Sequence, residues 1–212
     1  MSLKIERFIN QLMTSNCYIV ADEESKHCLC IDPASEKSER EIEYIEQNGF
    51  TLDDIIVTHE HTDHTWGVNT LKEKYPEAKL LCSELCDKYA KQSSKAYFLF
   101  YYGEKGYRYE LMPADILIND DIFINWHNSQ IGFLLTPGHS KGSMCIDING
   151  RLFSGDTIMP YPSHLNKRDS SIPDLRESIE KITRLYRPET IIMPGHGDTI
   201  TLRDWLNNYW TI

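Results

Sequence analysis

The segment Thr58-His-Glu-His-Thr-Asp-His64 constrains this chain more than any other feature. It sets four side chains able to ligate a metal, His59, His61, Asp63 and His64, within six residues. It follows Ile55-Ile-Val57, a short apolar run that reads as the end of a buried strand over Asp54–Thr58. In an extended backbone residues two apart share a side, so His59 and His61 project together. Asp63 and His64 then fall where helical character begins, with Gly67 leaving backbone room nearby. Protonated and bare, so many imidazoles would repel one another. A divalent cation removes that conflict, and neutral imidazole with carboxylate suits zinc, iron or manganese.

A single His after a strand is ordinarily a structural residue, and a single Pro-Gly-His is a turn with a polar tip. Here Thr136-Pro-Gly-His139, Ser154-Gly-Asp156 and Met193-Pro-Gly-His196 join the first block. Each stands at the carboxyl end of a predicted strand, the edge where α/β folds gather ligands.

The remaining pattern agrees with a layered α/β domain. Strands are predicted at Lys4–Ile9, Cys17–Ala21, Cys28–Ile31, Lys79–Cys82, Ile122–Trp126, Ile131–Thr136, Met144–Ile148, Leu152–Ser154 and Thr190–Met193. Helices are expected from Ser35 to a stop at Gly49, from His64 to Lys74, after Cys82, from Ile172 with Pro173 in its first turn, and over Leu202–Asn208. No linker or low-complexity tract divides the chain, so one domain is expected over residues 1–212.

A net charge of −10 argues against nucleic acid and anionic lipid as partners. No apolar run reaches the length of a membrane span, and MSLKIERFIN carries no secretory signal. A cytoplasmic protein with reduced, buried thiols is therefore expected, and Cys28 and Cys30 should share one face of a strand.

The ordered blocks HxHxDH, TPGH, SGDT and PGHG resemble the metallo-β-lactamase superfamily in its glyoxalase II-like (hydroxyacylglutathione hydrolase-like) branch. The resemblance runs from about Asn16 onward. It implies a four-layer αββα sandwich with the site at one edge of the two sheets. It implies two divalent metal ions, Zn²⁺ first, with Fe or Mn as alternatives. His59, His61 and His139 would hold one ion, Asp63, His64 and His196 the other, and Asp156 would bridge them. A metal-bridging hydroxide would then be the nucleophile, oriented by Asp63, on the carbonyl of a small acyl-thioester. Binding to metal lowers a water's pKa from about 15.7 to about 7.

In that branch the loop after Asp156 contacts substrate, which points to Tyr161, His164, Lys167 and Arg168; a solvated basic loop is the plainer reading of the same residues. Full-length members also carry a C-terminal helical region with glutathione contacts. Only sixteen residues follow His196 here, and the position two past that histidine, often Tyr, is Asp198. The family's Asp-Pro-Gly reads Asp32-Pro-Ala34. S-lactoylglutathione is thus expected as a substrate without being the best one.

Other readings share the fold. A mononuclear iron persulfide dioxygenase would use His59, His139 and Asp156 as a two-His, one-carboxylate face. A lactonase and a non-catalytic metal-binding module are further alternatives. Glu60 and Thr62 are expected to face away from the ligands, behind them or in solvent, and His27 and His127 to lie on the surface rather than to serve as ligands. The aromatic segment Tyr97–Tyr109 is open to three roles: capping the pocket, forming a homodimer face, or packing as a helical insert.

Overall fold

The computed structural model describes residues 3–10, 13–90, 109–162, 165 and 169–210. The first sheet runs β1 (Leu3–Ile9), β2 (Asn16–Asp22), β3 (His27–Ile31), β4 (Thr51–Ile56), β5 (Lys79–Ser83) and β6 (Ile116–Ile118), each beside its predecessor. The first three strands are antiparallel, and β3 to β6 are parallel. The second sheet holds β7 (Ile122–Trp126), β8 (Ser129–Leu135), β9 (Met144–Ile148), β10 (Arg151–Gly155), β11 (Ile191–Pro194) and β12 (Ile200–Thr201). Only β10 and β11 pair in parallel there.

Strand periodicity separates three apolar layers. In β2, Cys17, Ile19 and Ala21 face helices, while Tyr18 and Val20 face the other sheet. Outside the first sheet lie α1 (Glu39–Asn48), α2 (Thr62–Thr65), α3 (Val68–Lys74) and α4 (residues 84–90). Ile45, Val68 and Leu71 from α1 and α3 fill that outer core. The inter-sheet core includes Phe133, Phe153, Ile146 and Leu29. Outside the second sheet, α5 (Ile172–Leu185) and α6 (Leu202–Asn208) bury Leu175, Ile179, Ile182 and Trp205. Three cores between four layers make the αββα sandwich.

Helix ends follow local chemistry. Ser171 caps α5 by accepting from the Asp174 amide, and Thr201 caps α6 by accepting from the Asp204 amide at 3.1 Å. Two expected helices differ in extent. The one predicted from Ser35 begins at Glu39, because the Ser38 amide donates to Ser35 O at 2.9 Å and Ser38 takes φ 44°, closing a turn first. The one predicted over His64–Lys74 starts earlier and is split into α2 and α3 at Gly67, whose amide donates to Pro33 O at 2.9 Å. A Cβ at Gly67 would stand 2.4 Å from Ser38 Oγ, so the break requires glycine.

All six cysteines are free and buried, and Cys28 and Cys30 share the outer core. Among the described residues no helix is long and apolar enough to cross a membrane. Phe133 is fully buried between the sheets. Phe133→Ala should lower unfolding free energy by about 3–5 kcal/mol in urea denaturation, since the two sheets cannot collapse onto the void.

Candidate metal centre

Four strand exits deliver the ligand-type side chains to one edge of the sandwich. Residues 59–64 follow β4, His139 follows β8, Asp156 follows β10, and His196 follows β11. The two Pro-Gly-His turns work through their glycines. Gly138 has φ 142° and lies against the backbone of Leu175. A Cβ at Gly195 would approach Asp156 Oδ1 at 2.3 Å, so glycine there lets the strand exit close on the site.

Within this pocket the seven residues form two groups. His59 Nε2 and His139 Nε2 stand 3.1 and 3.0 Å from His61 Nδ1. Asp63 Oδ2 lies 3.3 Å from His196 Nε2 and 3.8 Å from His64 Nε2. Asp156 reaches both groups, with Oδ1 3.4 Å from His64 Nε2 and Oδ2 3.5 Å from His139 Nε2 and 3.7 Å from His196 Nε2. All seven are buried.

The residues fit a pair of divalent ions. Among the described residues Asp63 Oδ1 and His64 Nε2 are buried without a hydrogen-bond partner, a state that costs about 1–3 kcal/mol each unless something else satisfies them. Imidazole with carboxylate suits zinc, iron and manganese. Burial, together with positive charge at His64, His61 and His139, holds His59 well below its ordinary pKa. Burial likewise takes His139 down to about 4, against the pull of Asp156. His64 is the opposite case: burial opposes its protonation, but the carboxylates of Asp156, Asp32 and Asp63 push it up to about 10. Burial raises Asp63 too, yet His64 and His196 hold it below the usual carboxylate range. The pocket is therefore arranged to hold positive charge at its centre.

An outer ring fixes these groups. Asp32 takes φ 54° and is buried. Its carboxylate accepts from the Thr58 amide at 2.7 Å, from Thr58 Oγ1 at 2.6 Å and from His64 Nδ1 at 2.9 Å. With its proton given to Asp32, the Thr58 hydroxyl accepts from His59 Nδ1 at 3.0 Å. Both tautomers are thereby set, leaving His59 Nε2 and His64 Nε2 as the nitrogens that could ligate a metal ion. Ser15 Oγ donates to Asp63 O. Reasoning from sequence did not assign Asp32, Thr58 or Ser15 a part in the site; the Asp-Pro after β3 was the available signal. Glu60 does face away from the ligands, but it is buried rather than solvated. It accepts from Ser140 Oγ at 2.8 Å, which ties the first block to the loop carrying His139.

Of the residues expected at the substrate, Tyr161 is half-exposed at the rim. Burial, then the charges of Asp156 and Asp63, raise its hydroxyl pKa. His164, Lys167 and Arg168 lie outside the described residues, as does 97–108 of the aromatic segment. Tyr109 is described, and its hydroxyl donates to Thr65 O. Asp198 is engaged by Arg7, whose Nη1 donates to Asp198 Oδ1 and Gly197 O at 2.9 Å each. His27 and His127 are partly exposed, and both hydrogen-bond to Asp53.

The family model described as the metallo-beta-lactamase superfamily matches residues 11–196. Hydroxyacylglutathione hydrolase of Francisella tularensis subsp. novicida is 29% identical over 187 residues, covering 86% of this chain and 64% of that protein. The chain thus spans less than two thirds of that relative's length. The probable polyketide biosynthesis zinc-dependent hydrolase BaeB of Bacillus velezensis is 28% identical over 189 residues, covering 89% and 75%. Among solved structures, BLEG-1 B3 metallo-beta-lactamase superposes with a TM-score of 0.85 at 20% identity, covering 98% of each chain. ETHE1 from Myxococcus xanthus gives 0.76 at 18% identity, covering 97% and 82%. At such identities these two speak to the fold alone.

Asp32→Asn keeps the shape and removes the charge that orients His64. Affinity for the ion nearest His64 should fall about 10- to 100-fold. Equilibrium dialysis with Zn²⁺ measures this, and the ion nearest His59 should be held more nearly as before.

Proposed function

Because the chain belongs to the metallo-beta-lactamase superfamily, we propose that it is a metal-dependent hydrolase acting on a small acyl-thioester. The observation that carries this reading is the pair of ligand groups joined by Asp156. His59, His61 and His139 would hold one ion, and Asp63, His64 and His196 the other. Ions bound there would supply Lewis acidity and bring a water's pKa from about 15.7 toward about 7.

The chain's own groups then divide the work. Asp63 turns Oδ2 to His196 and, among the described residues, leaves Oδ1 without a hydrogen-bond partner, so one oxygen can ligate while the other orients a water. Asp32 and Thr58 hold the imidazoles in the required tautomers. Tyr161 stays protonated at neutral pH and offers a hydroxyl donor at the rim. The loop after Asp156, with His164, Lys167 and Arg168, would meet the thiol part of the substrate; Arg grips a carboxylate with two prongs and Lys as a point charge. The ionisable side chains at the centre are taken up by the two groups, which suits a leaving group that departs as an anion. A thiolate does so more readily than an amine. The relatives named as a hydroxyacylglutathione hydrolase and a zinc-dependent hydrolase support this assignment.

The test is kcat/KM for S-lactoylglutathione beside thioesters of smaller thiols, a lactone and a cephalosporin, with oxygen uptake on a persulfide as the companion assay. Thioesters should lead, and a smaller thiol should outrun glutathione. A lactone or cephalosporin ahead of every thioester, or oxygen uptake without hydrolysis, overturns the reading. At matched metal content Asp63→Asn should lower kcat on the order of 10²-fold or more, because an oriented charge at the reacting water is lost. Falling pH adds protons that compete with the ions for the imidazoles, so activity should fall on the acid side. Excess Zn²⁺ should move that limb to lower pH, as initial rates at two Zn²⁺ concentrations will report.

A further inference from the structure

At the opposite end of the sandwich a second group of metal-type donors comes together. His27 opens β3, Asp53 lies early in β4, and His127 sits in the turn between β7 and β8. The other ends of β4 and β8 lead to His59 and His139, so the two clusters stand at opposite edges. His27 Nδ1 lies 2.6 Å from Asp53 Oδ1, and His127 Nε2 lies 2.8 Å from Asp53 Oδ2. The three donor atoms all fall within 4.8 Å of one another.

Two backbone irregularities produce this convergence. The β3–β4 ladder pairs Cys28 with Leu52 and then Leu29 with Asp54, so Asp53 is the extra residue of a bulge. A bulge re-aims the side chain that it frees from the ladder. His127 takes φ 47°, a left-handed conformation that costs an ordinary residue about 1–2 kcal/mol. Trp126 Nε1 donates to Asp53 Oδ2 at 2.8 Å, fixing the carboxylate from behind. Burial favours the neutral acid, but the bonds from His27, His127 and Trp126 outweigh it and keep Asp53 ionised.

We propose that His27, Asp53 and His127 form an accessory site for a borderline divalent ion of the zinc, copper(II) or nickel class. Two imidazoles and a carboxylate select that class over magnesium or calcium. Zinc–nitrogen bonds of about 2.0–2.1 Å let two imidazole nitrogens on one ion stand up to about 4 Å apart. The cluster is already close to that span, and its half-exposed rings can make the small adjustment. Each neutral ring keeps its proton by moving it to the outward nitrogen, and the ion exchanges bound waters for the three donors. His27 and Asp53 belong to the first sheet and His127 to the second, so the bound ion staples the two sheets far from the metal centre.

The test compares the full chain with His127→Asn and His27→Gln. Asparagine tolerates the left-handed position, and both sites are partly exposed, so folding should survive; circular dichroism checks this. After dialysis against micromolar Zn²⁺, elemental analysis should show one ion per chain more in the parent than in either variant. That difference is independent of what the seven-residue centre holds and of whether thioesters are cleaved. Stoichiometric Cu²⁺ should quench a component of tryptophan fluorescence that His127→Asn and Trp126→Phe both abolish. Equal metal content in parent and folded variants, or quenching unchanged by His127→Asn, would reduce the cluster to a hydrogen-bonded clip and overturn the proposal.

Discussion

The carboxylate of Asp32 ties the ends of two neighbouring strands to the ligand groups. It is buried just past β3, and its two oxygens take hydrogen bonds from the Thr58 amide, the Thr58 hydroxyl and His64. Bonds to a charged group contribute about 1.5–3 kcal/mol each, and a buried carboxylate without them would be strongly destabilising. The residue must therefore find these partners, and Thr58 and His64 supply them at the exit of β4 and in α2. Its carbonyl in turn accepts from Asn10 Nδ2, and the next residue, Pro33, accepts from the Gly67 amide. The β1–β2 connection, the β3 exit, the β4 exit and the α2–α3 break are thus fixed together.

From that tie the division of the pocket follows. The chain supplies the first ligand group from residues 59, 61 and 139 and the second from 63, 64 and 196, so each draws on both sheets. Neither group is complete until the sheets have packed. The inter-sheet core around Phe133, Phe153 and Met193 therefore sets the spacing of donor atoms. Glu60, lying between His59 and His61, accepts from Ser140 and holds the second sheet's loop to the first sheet's.

Much of this was legible in the residues. The strand at Cys17–Ala21, the helix start at Ile172 with Pro173 in its first turn and the four strand-exit blocks are local patterns, and local patterns survive folding. What was illegible depends on partners distant in sequence. The break at Gly67 depends on the Pro33 carbonyl and on the close approach of Ser38, partners that lie outside residues 64–74. The late start of α1 follows from the Ser35–Ser38 turn, whose Ser38 hydroxyl also faces Gly67 O. The strands β6 and β12, of three and two residues, are too short to show a period. Glu60 faces away from the ligands as an extended segment predicts, but the outside it meets is another loop, through Ser140.

The bulge at Asp53 is the clearest case of register hiding a feature. The strand expected from the sequence starts at Asp54, with Asp53 just before it. Only the pairing with β3 shows that one of the two falls out of the ladder. The freed carboxylate meets His127, 74 residues away, at 2.8 Å. Its neighbour Asp54 stays in the ladder and half-buried, where burial and then the Asp53 charge push it up to about 6. Adjacent, identical residues thus take opposite electrostatic roles, one ionised and bridging two imidazoles, the other drawn toward neutrality. A like division appears at the candidate metal centre, where buried imidazoles five residues apart are driven in opposite directions, His59 down by burial and its neighbouring imidazoles and His64 up by the carboxylates of Asp156, Asp32 and Asp63. At the β3–β4 bulge it is strand register, and at the candidate metal centre the charge of the neighbours, rather than residue type, that decides which group carries charge.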